Sequence, residues 1–163
     1  MPAHSLGYLF MIDYTSLPTA GLLRRLGALV YDALLVMAIS MAWGGLTVYL
    51  RYGLLGEQLA EGEKAQSSPL EFFGLVIVIT LFFSFFWRRA GQTLGMRAWR
   101  LRLQQANGQT PNWRQCLLRS AIAPLSLLCA GLGYFWILVD ANGDSAHDRL
   151  GKLKVVVLPK GKD

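Results

Sequence analysis

Charge is scarce in this 163-residue chain. Only 16% of its residues are charged, against about 25% in an ordinary soluble domain. Two cysteines, Cys116 and Cys129, cannot build a disulfide framework, so nothing calls for an oxidising compartment. The two histidines, His4 and His147, stand far apart in sequence. No His/Cys cluster has the spacing of a metal site, and no nucleophile has a base and orienter beside it. Acid is scarcer than base, 10 residues against 16, for a net charge of +6. What is plentiful is apolar: 53% hydrophobic residues and a mean hydropathy of +0.36. Such a chain is neither disordered nor composed like a soluble enzyme, and a bilayer is the environment that suits it.

The placement of charge supports this. Ala33–Leu50 is an uncharged run of 18 residues, and extending it back to Leu26 adds only one charge, Asp32. Phe72–Trp87 has 16 uncharged residues and Ser120–Val139 has 20. About 20 apolar residues cross the hydrocarbon core as a helix. The first two runs therefore predict spans over about 24–50 and 70–87. Arg24-Arg25 resembles the basic start of a signal peptide, but 23 residues precede it and Asp32 interrupts the run, so a retained helix is expected.

Orientation follows from the connections. Residues 88–119 carry seven arginines and no acid, whereas 51–71 carry Arg51 and Lys64 against Glu57, Glu61, Glu63 and Glu71. Basic loops stay cytoplasmic. The N-terminus and residues 88–112 are thus expected inside, with an external loop over 51–69. Trp87 beside Arg88-Arg89 is expected to mark the inner interface. The arginines suit anionic lipid headgroups better than nucleic acid, which is not expected as a partner.

The third run contains Pro124, Gly131 and Gly133, which weaken a helix interior. Before it, Trp99, Leu101 and Leu103 alternate with Arg100 and Arg102 and lead to an Asn107-Gly108 turn; after it comes Val155-Val156-Val157-Leu158. Each stretch reads as a short strand. Pairing them requires both on one side of the membrane. A broken or re-entrant segment over about 113–139 is therefore expected, with 140–163 cytoplasmic. Residues 1–20 read as a short leader at the interface. The expected fold is an all-α membrane protein: a single domain with two transmembrane helices, a third broken or re-entrant segment and a small cytoplasmic β pairing.

Asp32 is the residue out of place. A carboxylate deep in a membrane helix costs about 2.5–3.5 kcal/mol on insertion scales, so it is paired or faces a wet cavity. Arg25 lies two turns earlier on the same face, about 10 Å away along the axis. Arg24, about 100° round the helix, can snorkel. Two readings stand: a polar tie that fixes helix packing, or an ion or proton site. Gly91-Gln92-Thr93-Leu94-Gly95-Met96-Arg97 reads as a turn at the exit of the second helix, without phosphate-loop spacing. Gly44-Gly45 offers close packing to the first helix.

These residues resemble the RDD family. Arg25-Leu26-Gly27-Ala28 with Asp32 resembles its first helix; Gly91-Gln92-Thr93-Leu94-Gly95 with Asn107-Gly108 and Arg119 resembles its central loop; and His147-Asp148-Arg149-Leu150 with the valine run resembles its C-terminal signature. The resemblance covers roughly residues 20–158. Met96 stands where a lysine is common, and Lys152-Leu153-Lys154 where a small residue and threonine are usual. The family is named for one arginine and two aspartates, which the resemblance assigns to Arg25, Asp32 and Asp148. Asp140 is a lesser candidate for the last place, and His147 a supporting residue. The resemblance implies a multispan bacterial cell (inner) membrane protein without enzymatic activity, metal or cofactor. It is expected to be either a small transporter coupled to a cation or proton or a scaffold in which Arg25, Asp32 and Asp148 form a latch. A homo-oligomer or a membrane partner is expected in both cases.

Overall fold

The computed structural model describes residues 13–57, 68–128, 132–138, 140 and 143–160. The leader through residue 12 with His4, residues 58–67 with Glu61, Glu63 and Lys64, and Cys129 and Gly131 lie outside them.

Two helices are long and apolar enough to span a membrane. The first, α1 (Leu22–Val48), runs on without a break through π-helical turns at Tyr49–Leu54, 33 residues in all. At 1.5 Å per residue it is about 50 Å long, so its ends project beyond a 30 Å hydrocarbon core. The expected end at residue 50 is passed because Arg51 is neutralised: it pairs with Glu57 at 2.7 Å and with Glu71 at 3.3 Å. The second helix, α2 (Pro69–Ala90), starts at a complete capping box, with Ser68 Oγ accepting from the Glu71 N–H and the Glu71 carboxylate accepting from the Ser68 N–H. It continues past the expected residue 87 because Arg88 and Arg89 suit the negative end of the helix dipole. It stops at Gly91, which has φ +70. There a Cβ would also lie 2.5 Å from the Leu103 carbonyl oxygen. The two helices are antiparallel: Trp43 late in α1 donates its indole N–H to the carbonyl of Glu71 early in α2 at 3.0 Å.

Burial along these helices is reversed from that of a soluble protein. The buried residues of α1 are Arg25, Ala28 and Asp32, while Leu23, Val30, Leu34, Met37 and Met41 are exposed. In α2, Ser84 and Trp87 are buried and Phe72, Phe73, Ile77 and Leu81 are exposed. Apolar side chains turned outward around a polar interior match lipid as the solvent.

After Gly91 comes a five-residue helix, α3 (Leu94–Ala98), capped by Thr93. Strand β1 (Leu101–Gln105) follows, then α4 (Trp113–Leu128) with Pro124 inside it, α5 (Leu132–Phe135) with a 3-10 turn at Trp136–Leu138, α6 (Ala146–Leu150) and β2 (Leu153–Val157). Across the third apolar run the described residues are helical over Trp113–Leu128 and Leu132–Phe135. The strands expected on either side of it do pair: β1 and β2 are antiparallel, with Leu103 opposite Val155. Trp99 and Arg100 precede the strand instead of opening it, since α3 ends there and Arg100 turns the chain with φ 54.

Residues 18–20 of the leader pack on the sheet, not as a free interfacial segment. Ala20 N–H donates to Val155 O and Val157 N–H to Pro18 O, which covers the open edge of β2. Leu101, Leu103, Leu153, Val155, Met96 and Cys116 form the core here. Gly44 and Gly45 have nothing within 4 Å of an added Cβ among the described residues, so they serve no close packing there. That role falls to Gly27 against the Trp99 ring and Gly74 against the Trp43 ring.

Candidate functional site

The polar residues gather where the first turns of α1, the end of α2, α3 and α6 meet. Arg25 points away from the span toward the chain's far end. Its Nη1 donates to Asp148 Oδ2 at 2.6 Å, Nη2 to the Gly143 carbonyl at 3.1 Å, and Nε to the Ala20 carbonyl at 3.0 Å. A guanidinium is planar and carries five donors, so it can hold three elements at once. Asp148 lies in α6 and is fully buried, at 0% exposure. Its second oxygen pairs with Arg119 of α4, and Ser145 Oγ, just before α6, donates to Oδ2 at 2.6 Å. One carboxylate thus joins α1, α4 and α6.

His147 sits beside this cluster at 1% exposure. Burial first, and then the Arg119 and Arg25 charges, push its pKa down to about 2, so the imidazole is neutral. Ser145 gives its own proton to Asp148, so the 3.0 Å contact between His147 Nε2 and Ser145 Oγ assigns the Nε2–H tautomer, with the ring donating.

Asp32 is anchored differently. Its Oδ2 accepts from Thr93 Oγ1 at 2.6 Å and its Oδ1 from the Gly95 N–H at 2.9 Å. Thr93 Oγ1 in turn accepts from the Met96 N–H at 3.1 Å as the cap of α3. The approach of α3 to α1 depends on Gly95: a Cβ there would lie 2.3 Å from the Ala28 carbonyl oxygen and 2.8 Å from Asp32 Oδ1. The Gly-Gln-Thr-Leu-Gly turn is thus a seat for the Asp32 carboxylate.

Of the residues singled out in the sequence, Arg25, His147 and Asp148 come together, and Asp32 lines the same polar end through α3. Asp140 is elsewhere, bonded to Arg149 Nη1 at 2.7 Å and to the Asp144 N–H at 3.0 Å. Arg24 is exposed. Arg119, Thr93, Gly95 and Ser145 were not among the expected site residues. Arg119 carried a usable signal, as the last charge before the third apolar run. Trp87 is buried within the chain at 7% exposure, with the Arg119 guanidinium 5.0 Å from its ring centroid. Asp144 is also buried, and burial raises its pKa above the usual carboxylate value.

Above these groups, α1, α2 and α4 enclose a cavity of about 540 Å³. Its walls are apolar, including Leu29, Val36, Val76, Ile79 and Phe83, and its polar lining includes Arg25, Asp32, Trp87, Arg119 and His147. No group of three or more His, Cys, Asp or Glu side chains is placed to hold a metal among the described residues.

The RDD family model matches residues 19–152, most of the chain and all of these polar groups, and the chain belongs to that family. No curated protein and no solved structure matches it.

Proposed function

We propose that this RDD-family membrane protein is a non-enzymatic scaffold or assembly partner of the bacterial cell membrane, in which Arg25, Asp148 and Arg119 act as a latch. The observation that carries this reading is the position of Asp148, fully buried and held by arginines from α1 and α4. A charge that binds or releases a travelling ion needs access and a vacancy; this one is closed in by fixed partners. Asp32 acts as a second tie, between α1 and α3. The pairing of β1 with β2 across the third apolar run supports a re-entrant path for 113–139. The seven arginines of 88–119 support a cytoplasmic N-terminus, sheet and C-terminus, with anionic headgroups at that face. The polar latch leaves the apolar outer faces of α1 and α2 for lipid, a second copy or a membrane partner.

A second reading has one observation in its favour: Asp32 lines a cavity, as a proton- or cation-coupling carboxylate would. Purified protein in liposomes loaded with pH- and cation-sensitive dyes separates the two. The latch reading predicts no ion movement by the wild type, together with loss of expression or complex formation in Asp148→Ala. Ion flux that Asp32→Asn abolishes in a folded protein would replace the latch reading with the transport one.

A further inference from the structure

The cavity between α1, α2 and α4 has features that neither a latch nor an ion site requires. Its volume of about 540 Å³ falls in the roughly 300–1,000 Å³ range of small-ligand pockets. It is far larger than a proton or cation path needs. Most of its wall is aliphatic and aromatic, from Leu29 and Val36 on α1, from Val76, Ile79 and Phe83 on α2, and from Pro124 on α4. That lining suits a hydrocarbon chain.

The polar lining is selective in a particular way. Among the described residues the Trp87 indole N–H is buried without a hydrogen-bond partner, and so is the Ser120 hydroxyl; both residues line the cavity. A buried unpaired donor is costly, about 1–3 kcal/mol, and calls for an explanation. The two carboxylates are already engaged: Asp148 by Arg25, Arg119 and Ser145, and Asp32 by Thr93 and Gly95. A group entering this end therefore meets donors in want of an acceptor, with the Arg119 guanidinium over the Trp87 ring. Immediately after Trp87 in the chain come the exposed Arg88 and Arg89, two positive charges at the end of α2. They repel a choline and attract a second negative or hydroxylated group.

We propose that this cavity is a binding site for one acyl chain of an anionic phospholipid, with the phosphate at Trp87, Ser120 and Arg119 and the chain along α1 and α2 toward Val36 and Val76. The phospholipid comes from the leaflet that meets the α3 and sheet end of the protein. It supplies the missing acceptor to Trp87 and fills the space between the helices, so it is a structural ligand. The site stands whether the protein is a scaffold or a transporter.

Native mass spectrometry of the full chain, delipidated in detergent and titrated with phosphatidylglycerol, phosphatidylcholine of the same chains, and oleate, tests this. Wild type is expected to retain one phosphatidylglycerol about tenfold more tightly than phosphatidylcholine, a 1.4 kcal/mol preference. Trp87→Phe keeps the ring and removes a donor to the phosphate that both phospholipids carry, and should weaken retention of both by a similar factor; undiminished retention overturns the proposal. Val36→Phe fills the cavity and should weaken retention of both, with unchanged circular dichroism marking an intact fold. Equal retention of the two phospholipids by wild type overturns the proposal. So does a preference for oleate, which makes the occupant a fatty acid, or displacement of phosphatidylglycerol by inorganic phosphate, which makes it a headgroup site alone. Phosphatidylglycerol held undiminished by Val36→Phe is lipid on the outer arginines, and also overturns it. If Val36→Phe fails to fold, the response of Trp87→Phe decides alone.

Discussion

The two ends of the α1–α2 pair are held by different physics. At the Trp43 end the helices meet through ring-to-glycine contact, Trp43 on Gly74, an indole-to-carbonyl hydrogen bond and a partly exposed Arg51–Glu71 pair. The large side chains around them, Met41, Leu46 and Phe72 among them, face outward. At the Arg25 end a buried carboxylate, two arginines, a hydroxyl and a neutral imidazole close the structure across 123 residues of sequence. In lipid, apolar contact between helices has little hydrophobic driving force, because acyl chains are as apolar as leucine. A fold of this size in a membrane therefore draws its specificity from polar ties, and this chain places its buried charged ones at the Arg25 end.

That contrast can be broken from its stronger side first. Asp148→Ala leaves the guanidiniums of Arg25 and Arg119 without their shared carboxylate, and breaking a buried pair costs roughly 3–5 kcal/mol. The expected result is a large fall in purified yield and in unfolding temperature. Arg24→Ala, at an exposed position one residue from the latch, is the control expected within about 0.5 kcal/mol of wild type.

Gly95→Ala acts on the second tie. The added Cβ meets the Ala28 carbonyl oxygen, a backbone atom that cannot swing aside, so α3 must lift from α1. A loss of about 1–3 kcal/mol is expected from overpacking, visible as a lower unfolding temperature and faster hydrogen exchange at Gly95.

His147 gives a dependence on pH. Its folded-state pKa, about 2, lies below its ordinary 6.5, so the unfolded chain takes up the proton first as pH falls. Stability is full above about 6.5 and declines below it, by at most about 1.4 kcal/mol per pH unit. Unfolding temperatures from pH 8 to 5 should fall in wild type and stay flatter in His147→Asn. The buried Asp144 has the opposite sign, because burial raises its folded-state pKa above the ordinary carboxylate value.

At the opposite end of the pair, Ser68→Ala removes the capping box of α2. The expected cost is about 1 kcal/mol, confined to the first turn of α2 and leaving the latch intact. Hydrogen exchange at Glu71 against that at Asp148 checks the separation.

Much of this was legible in the chain itself. The two spans follow from charge-free length, and Arg25 and Asp32 stand out because a helical stripe of charge inside an apolar run has few structural explanations. The strand pairing followed from alternation in Leu101–Leu103 and the valine run. Three features were not legible. Arg25 and Asp32 share a face, yet their bonds diverge, to α6 and to α3, because those elements arrive from distant sequence. Arg119 is marked in the chain only as the last charge before the third apolar run; that it pairs with Asp148 is set by packing. Trp87 followed by two arginines has the composition of an interfacial anchor; its burial depends on α4 lying across it.

The central claim, that Arg25 and Asp148 hold the fold as a pair, is tested most directly by a double-mutant cycle on unfolding free energy. Wild type, Arg25→Met, Asp148→Leu and the double variant are compared in one detergent. The latch predicts that Arg25→Met costs several kcal/mol in wild type and far less once Asp148 is leucine. An equal cost in both backgrounds would contradict it.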